Sequence, residues 1–267
     1  MLWNLSESTV SVAGGRVDYA VFGRGDKPFV LIPGLSLRDV RGAGMGLALM
    51  YRQFARDYRV YVIDKNSSVA EGSTVADLAE DTAAAMTRLG ITDACVMGVS
   101  LGGMIAEELA IRHPELVRKL VLGVTASRVN DTMTAVVGTW ISLAERGDFG
   151  AIVTDMSRVM YSEKYVKRYG WMLLLLAVLA KPKNEARFIR LAKACLTCDC
   201  YDRLGAITCP TLVLGGAEDK IVTGQASEEI AEKLGCAIHM YEGLGHAAYE
   251  EAPDFNDRVC RFLREEG

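Results

Sequence analysis

A Gly-x-Ser-x-Gly pentapeptide at residues 98–102 has the residue types and spacing of a nucleophile turn. An apolar run at residues 94–99 leads into Ser100, and a helical pattern at residues 104–111 follows it. This order predicts a tight strand-to-helix turn, in which the flanking glycines let the Ser100 hydroxyl stand clear of a sheet. The backbone N–H of Leu101 then points into the same space from the positive end of the helix and can receive an oxyanion. We interpret Ser100 as a nucleophile, with a purely structural glycine turn as the alternative.

A nucleophilic serine needs a general base, and the chain has only three histidines. His113 stands at the end of the helix that Ser100 opens, roughly 18 Å away at 1.5 Å per residue, which is too far. His239 falls inside a strand pattern, where a half-buried sheet histidine is the simpler interpretation. His246 lies in a glycine-punctuated loop after that strand, where a side chain can be presented at the sheet edge. We therefore predict that His246 is the base.

The third member of such a set is a carboxylate that orients the imidazole and stabilises its cation. Asp219 follows an apolar strand pattern at residues 211–214 that two glycines end. Glu218 is the fallback, although a solvated loop carboxylate is its simpler interpretation. The chain order Ser100, Asp219, His246 is associated with one fold in particular.

The elements that must position these residues follow from the periodicity of apolar side chains. Two hairpin-like strands and then alternating strands and helices predict a mostly parallel sheet with helices on both faces. Between residues 127 and 205 the alternation stops, and this segment has the pattern of several helices. We expect a core formed by residues 1–126 and 206–267, with residues 127–205 as a helical cap. The eight predicted strands lie near residues 10–12, 16–22, 29–32, 59–64, 94–98, 120–124, 211–214 and 237–241.

Further motifs spread over nearly the whole chain carry a family resemblance. They are residues 30–35 (Val-Leu-Ile-Pro-Gly-Leu), 77–81, the turn with Gly98, Ser100, Gly102 and Gly103, residues 113–117 and 209–214, Asp219, and Gly245-His246. On these motifs the chain resembles the α/β-hydrolase superfamily, in particular its small cap-bearing esterases, lactonases and carbon–carbon bond hydrolases. The resemblance implies the α/β-hydrolase fold: a mostly parallel eight-stranded sheet with helices on both faces and a helical cap inserted after the sixth strand.

Two stretches depart from the pattern of that superfamily. Its members usually carry His-Gly after the third strand, whereas this chain has Pro33-Gly34, so the backbone N–H of Leu35 is inferred as the second oxyanion donor. Members also favour Asp-x-Arg-Gly-x-Gly-x-Ser after the fourth strand. Here residues 64–73 begin Asp-Lys-Asn and lack the arginine and the first glycine. This loop is expected to differ in shape, outside the catalytic set.

The reaction implied is acyl transfer to water at a small ester or lactone. Ser100 attacks the carbonyl, His246 takes its proton, Asp219 holds the imidazole, and the N–H groups of Leu101 and Leu35 stabilise the oxyanion. An acyl-enzyme forms and is hydrolysed, and no metal or organic cofactor is required.

Two alternatives stay open. A carbon–carbon bond hydrolase would use the same triad and polar cap residues to bind a second carboxylate. A ligand receptor would retain the triad with little turnover. The cap cations available for a second carboxylate, most of which we interpret as solvated helix faces, are Arg158, Lys164, Arg168, Arg187 and Arg190.

Several large side chains of the cap segment can line an acyl pocket, although packing explains such residues equally well. The candidates are Trp140, Met156, Met160 and Tyr161. The most apolar part of the segment, residues 171–180, is shorter than the ~18 apolar residues needed to cross a bilayer. We expect a helix buried between cap and core, with a membrane-surface or dimer contact as the alternative.

Composition narrows the class of protein. The 267 residues are 50% apolar, which fits one catalytic unit with a large core. The net charge of −4 and the lack of a basic stripe argue against a nucleic-acid partner. We expect a small-molecule substrate, no membrane association, and a homodimer as one option. The first eight residues lack a positive region, so no secretory signal is expected.

The seven cysteines are an odd number and predict reduced thiols in a cytoplasmic protein. Cys195, Cys198 and Cys200 form a cluster to which Cys209 could add a fourth metal ligand. Zinc sites usually show two separated pairs, so helix packing is the preferred interpretation and no metal is expected.

Overall fold

The computed structural model of the chain describes residues 3–178, 182 and 184–265, with 172–178 as backbone only. Its centre is one eight-stranded sheet in the order β1-β2-β4-β3-β5-β6-β7-β8. β1 and β2, and β2 and β4, pair antiparallel, and all other neighbours are parallel. The strands are β1 (Ser6–Val12), β2 (Gly15–Phe22), β3 (Lys27–Ile32), β4 (Tyr58–Asn66), β5 (Ala94–Val99), β6 (Val117–Gly123), β7 (Thr211–Gly216) and β8 (Ala237–Tyr241).

The predicted mostly parallel, eight-stranded architecture is confirmed, and the differences lie at the strand ends. The first strand begins at Ser6 rather than near residue 10, and β6 covers Val117–Gly123 rather than 120–124. Exposed polar residues at the start of β1 hid its length, because an edge strand needs little apolar surface.

Helices cover both faces of the sheet and fill the interval between β6 and β7. Four of them, α4 to α7, occupy that interval and are called the insertion below. The helices are α1 (Gly44–Met50), α2 (Val75–Arg88), α3 (Leu101–Arg112), α4 (Asp131–Glu145), α5 (Phe149–Met160), α6 (Glu163–Val178), α7 (Glu185–Cys195), α8 (Gly224–Leu234), α9 (Ala248–Glu251) and α10 (Phe255–Arg264).

The core consists of two apolar layers, one on each face of the sheet. In β3, Val30 and Ile32 pack into the layer formed with α2, α3, α8 and the insertion. Phe29 and Leu31 pack into the opposite layer with α1, α9 and α10. Successive side chains of a strand point to opposite faces, so a strand buried on both faces is apolar along its whole length.

Both ends of the insertion lie side by side. The N–H of Cys200 donates to the carbonyl of Ser127 at 2.8 Å, and the N–H of Val129 donates to the carbonyl of Cys198 at 3.1 Å. Arg128 and Asp199 form an antiparallel bridge between the same two segments. The chain therefore leaves the sheet and returns to it at one place.

The apolar run at residues 171–180 is helical as far as Val178, where α6 ends. The expected burial is wrong for Trp171, whose surface is 70% exposed. The side chains of residues 172–178 and residues 179–180 lie outside what the structure describes. Within the described residues, no helix combines the length and apolarity needed to span a bilayer.

Candidate active site

Ser100 occupies the sharp turn between β5 and α3. Its backbone angles are φ 55° and ψ −124°, a left-handed conformation that costs a non-glycine residue about 1–3 kcal/mol. Residues at the end of β6 and just after it hold this turn. The Ser100 N–H donates to the Gly123 carbonyl at 2.9 Å. The hydroxyl of Thr125 donates to the Ser100 carbonyl at 2.8 Å. The strained conformation of Ser100 is therefore held by the backbone of Gly123 and the side chain of Thr125.

Two glycines allow the turn to be this tight. A Cβ on Gly102 would lie 1.9 Å from the carbonyl oxygen of Ile32, and one on Gly98 would lie 2.2 Å from the carbonyl oxygen of Gly102. Both distances are far below van der Waals contact. The Gly-x-Ser-x-Gly pattern thus follows from close packing of β3, β5 and α3.

The structure brings Ser100, His246 and Asp219 into one hydrogen-bonded line. The His246 Nε2 atom lies 2.9 Å from Ser100 Oγ, and His246 Nδ1 lies 2.7 Å from Asp219 Oδ2. The other oxygen of Asp219 accepts from the N–H groups of Ile221 and Val222 at 2.8 and 3.1 Å. Asp219 and His246 are buried, while Ser100 is half-buried. A carboxylate on Nδ1 favours the tautomer whose Nε2 can accept a proton from the serine.

The loop that carries His246 is tied to two other segments. The Glu218 N–H donates to the Leu244 carbonyl at 2.9 Å, which links this loop to the one carrying Asp219. The Ala247 N–H donates to the Met160 carbonyl at 2.9 Å, which links it to the end of α5. The insertion therefore contacts the residue next to His246.

The other histidines and Glu218 lie outside this line. His113 pairs with Glu80 at 2.9 Å near the surface, and His239 packs edge-on against Tyr241. Burial, assisted by Arg258, lowers the pKa of His239. The Glu218 residue is exposed.

Two backbone N–H groups near Ser100 have no hydrogen-bond acceptor among the described residues. Leu101 is the first residue of α3, so its N–H has no acceptor within the helix. The loop after β3 passes directly against the serine, because a Cβ on Gly34 would lie 3.2 Å from Ser100 Cβ and 3.7 Å from Ser100 Oγ. In the part of the chain that the structure describes, the N–H of Leu35 has no hydrogen-bond acceptor.

A model of the alpha/beta hydrolase family matches residues 29–257, which is most of the chain. The chain belongs to this family. A putative carbamate hydrolase RutD from Rhizobium rhizogenes is 28% identical to this hydrolase over 256 residues, covering 89% of this chain and 93% of the relative. The family and the name of this relative support a hydrolytic function.

Solved structures of the same fold include two that align with almost the whole hydrolase. An alpha/beta hydrolase enzyme from a Medee basin deep-sea metagenome library has a TM-score of 0.86 at 21% identity, covering 97% of this chain and 98% of that one. The enol-lactonase from Burkholderia xenovorans LB400 has a TM-score of 0.84 at 21% identity, covering 97% and 100%. At these identities the likeness establishes the fold alone.

The pocket candidates of the hydrolase occupy two different places. Trp140 is buried, and its Nε1–H donates to Asp155 at 2.9 Å, a contact between α4 and α5. Met160 and Tyr161 adjoin the His246 loop through the Met160 carbonyl, and Tyr161 donates its hydroxyl to Glu250 at 2.7 Å. Met156 is half-buried against the core.

An open cavity of about 320 Å³ lies beside this loop, between the start of α6 and the segment after β7. Its lining is polar and charged as well as apolar, and includes Tyr161, Ser162, Lys164, Glu218, Lys220 and Gly245.

Arg187 differs from the other cations considered for a second carboxylate, because it is buried. Its guanidinium donates to Asp39 at 2.9 Å, to Asp64 at 3.1 Å, and to the carbonyls of Lys65 and Asn66 at 2.7 and 3.0 Å. Arg158, Lys164 and Arg168 are exposed, as expected, and Arg190 is half-buried with one bond to the Val69 carbonyl. The sequence did carry a signal, since Arg187 shares the helical face of Leu191 and Cys195.

Lys65 is a second buried cation that sequence analysis missed. Its Nζ donates to the carbonyls of Pro33 and Gly34 at 2.9 and 2.8 Å and lies 3.6 Å from Asp64 Oδ1. Burial lowers the pKa of Lys65, and Asp64 opposes that shift. Burial alone would raise the pKa of Asp64, but Lys65 and Arg187 together bring it below its usual value.

One group of side chains in the described residues has the chemistry of a metal site. One ligand atom each from Glu107, Cys198 and Cys200 lie within 4.8 Å of one another, and all three residues are buried. The Cys200 thiol donates to Glu107 Oε2 at 3.2 Å, whereas Glu107 Oε1 has no partner in the described structure. Cys195 and Cys209 lie outside this group, and all seven cysteines are free thiols.

Proposed function

We propose that the chain is a serine hydrolase that cleaves a small ester or lactone through an acyl-enzyme. The observation that carries this proposal is the continuous line of hydrogen bonds from Ser100 Oγ through His246 to Asp219 Oδ2, with distances of 2.9 and 2.7 Å. Such a line lets the imidazole take the serine proton as the oxygen attacks a carbonyl carbon.

In the first half of the reaction, Ser100 Oγ bonds to the carbonyl carbon and His246 Nε2 holds the proton. The N–H groups of Leu101 and Leu35 donate to the oxyanion. Collapse of the tetrahedral adduct expels the alcohol, which takes the proton from His246. In the second half, His246 deprotonates a water that attacks the acyl-enzyme, and the acid product leaves as Ser100 regains its proton.

The names of similar proteins support a reaction at an acyl carbon. The carbamate hydrolase relative acts, by its name, on a carbamate, and a lactonase is among the proteins of the same fold.

Free thiols at all seven cysteines fit a reducing compartment, so we place the protein in the cytoplasm. In this proposal residues 127–205 form the cap over the substrate, and Trp140, Met156, Met160 and Tyr161 line its acyl side.

The carbon–carbon hydrolase alternative gains no support from Arg187. Four hydrogen bonds from its guanidinium go to Asp39, Asp64 and two carbonyls, which leaves one of the five N–H groups for a second substrate carboxylate. The ligand-receptor alternative predicts the same geometry with negligible turnover, so only kinetics can separate it.

A fluorophosphonate probe tests the proposal directly, followed by a panel of activated esters and lactones of increasing acyl length. The wild type should gain one probe mass, located on the peptide that contains Ser100, and should turn over at least one ester. Ser100→Ala should do neither while remaining folded by circular dichroism. An unlabelled wild type, or a wild type that is labelled but has no turnover on any ester or lactone, would contradict the assigned activity.

A further inference from the structure

Lys65 is a buried lysine whose ammonium group binds the loop beside Ser100. Its side chain is only 3% exposed. Its ammonium group reaches the carbonyls of Pro33 and Gly34, the two residues that follow β3, at 2.9 and 2.8 Å. Asp64 Oδ1 lies 3.6 Å from the same nitrogen and adds an ion pair. The ammonium is therefore held by two hydrogen bonds to backbone carbonyls and by one carboxylate.

The hydrogen bond from Lys65 to the Gly34 carbonyl also fixes the orientation of the Leu35 N–H. The Gly34 C=O and the Leu35 N–H belong to one planar trans peptide, in which these two groups point in opposite directions. Holding the oxygen toward Lys65 therefore turns the N–H to the other side of the peptide. Gly34 lies against Ser100, with only 3.2 Å between a Cβ built on Gly34 and Ser100 Cβ.

We propose that Lys65 is a positioning residue that holds and polarises the Gly34–Leu35 peptide, so that the Leu35 N–H is ready to stabilise the oxyanion. This inference rests on the proposed function and adds the device that prepares one of its two donors. A charge-assisted bond to the carbonyl draws electron density from the peptide and makes its N–H a stronger donor. A flipped peptide would leave the buried ammonium without one of its partners, which opposes flipping.

Lys65 is itself held from the insertion. Asp64 accepts from the backbone N–H of Lys65 at 2.8 Å and from Arg187 at 3.1 Å. Arg187 also donates to the Lys65 carbonyl at 2.7 Å. Arg187 belongs to α7. The insertion therefore holds Lys65 in place, and Lys65 in turn holds the Gly34–Leu35 peptide. Lys65 occupies the variable position of the Asp-x-Arg-Gly pattern, and its side chain turns inward to the loop after β3.

The test compares Lys65→Met, which keeps the length of the side chain but removes the charge and all donors, with Lys119→Met. Lys119 is a matched control, because it is also a buried lysine that donates to two backbone carbonyls, those of Phe262 and Glu265. Neither carbonyl is part of the site. Lys65→Gln, which keeps a neutral donor, is the second variant.

The measurements are kcat and KM on an activated ester and the inhibition constant of a trifluoromethyl ketone, which forms a tetrahedral adduct with an oxyanion. Lys65→Met should lower kcat about 100-fold, which is the effect of losing one oxyanion donor. The inhibition constant of the ketone should rise by a similar factor. The KM should change less than about threefold, and Lys65→Gln should lie between Lys65→Met and wild type. Lys119→Met should change stability alone.

A kcat within about threefold of wild type in folded Lys65→Met, or an equal loss in Lys119→Met, would overturn the positioning role. If Lys65→Met fails to fold, the kcat of Lys65→Gln is judged by the same limits. If neither variant folds, Lys65 is a structural residue and the proposal is rejected. Failure of the proposed function is seen separately, as full activity in Ser100→Ala.

Discussion

Glu107 and Glu108 are neighbours in α3 with opposite electrostatic surroundings. Glu108 accepts from both Arg112 and Arg203, which outweigh its burial and lower the pKa of its carboxyl. Glu107 forms no ion pair among the described residues, and burial together with Cys200 raises the pKa of its carboxyl well above 4.5. Two adjacent residues of one helix thus have carboxyl pKa values shifted in opposite directions.

This contrast predicts opposite stability effects. A raised pKa means that the folded state binds the proton more tightly, so its stabilisation is full below pH 4.5 and is lost as the pH rises toward the folded-state pKa. Glu107→Gln should therefore raise the free energy of unfolding at neutral pH, on the order of 1 kcal/mol, and less at acidic pH. Urea denaturation at several pH values measures this.

Glu108→Gln is the matched control and should lose about 1–3 kcal/mol at neutral pH, because two arginines lose a charged acceptor. The lowered pKa of Glu108 gives stability above pH 4.5 that disappears as the pH falls through the folded-state pKa. Equal effects of the two variants at every pH would contradict the assigned surroundings.

The general base is tested by His246→Ala. Removing the imidazole leaves Ser100 without a proton acceptor, so kcat should fall on the scale of ~10⁴ with the fold retained. Steady-state hydrolysis of an activated ester measures it, and His239→Gln should stay near wild type. An essential His239 together with a dispensable His246 would show that the base is wrongly assigned.

The orienting carboxylate is tested by the adjacent pair Asp219→Asn and Glu218→Gln. The amide can set the wrong imidazole tautomer and cannot stabilise its cation, so Asp219→Asn should lower kcat by up to ~10⁴. Glu218 is exposed, and Glu218→Gln should change kcat little. Ester kinetics on both folded variants give the answer, and the reverse pattern would move the role to Glu218.

Arg187 should matter for stability more than any exposed cap cation. Arg187→Met leaves buried Asp64 with one cation fewer, and breaking such a pair costs about 3–5 kcal/mol. Arg158→Met removes an ion pair whose arginine side chain is 76% exposed and should cost about 0–1 kcal/mol. Urea denaturation compares the two, and similar small losses would show that the Arg187 bonds contribute little.

Arg187→Met should also change how the free energy of unfolding depends on pH under acidic conditions. The lowered pKa of Asp64 contributes stability above its usual value of 3.8, and this is lost as the pH falls through the folded-state pKa. Without Arg187 the folded-state pKa should rise, so the loss should begin at higher pH.

Substrate charge should separate the ester hydrolase from the carbon–carbon hydrolase. Neutral esters should be preferred over their ω-carboxylate analogues of equal length. The proposed acyl-side residues Trp140, Met156 and Met160 carry no cation, so a carboxylate entering between them loses hydration worth several kcal/mol. A comparison of kcat/KM values measures this. A preference for the charged analogue that Lys164→Met abolishes would favour the alternative, since Lys164 lines the cavity beside the His246 loop.

The strands and the Ser100, Asp219 and His246 positions could be predicted because each has a local signal. Short apolar runs, the glycines around Ser100 and the loops after β7 and β8 all lie within a few residues of the feature they specify. Lys65, Arg187 and Glu107 have partners far along the chain: Arg187 bonds Asp39, 148 residues away, and Glu107 bonds Cys200, 93 residues away. Only the folded chain brings such partners together. A charged residue on an apolar helix face was the available hint.

The adjacency of Ser127 and Cys200 places the insertion outside the order of the strands. Because the chain departs and returns through one pair of hydrogen-bonded segments, the order of the sheet does not depend on what lies between them. Helices of another length or sequence could be exchanged there while Ser100, Asp219 and His246 keep their frame. An exchanged segment would meet the loop of His246 at the bond from Ala247 to Met160, and it would also have to replace the bonds that Arg187 makes to Asp64 and to the Lys65 carbonyl.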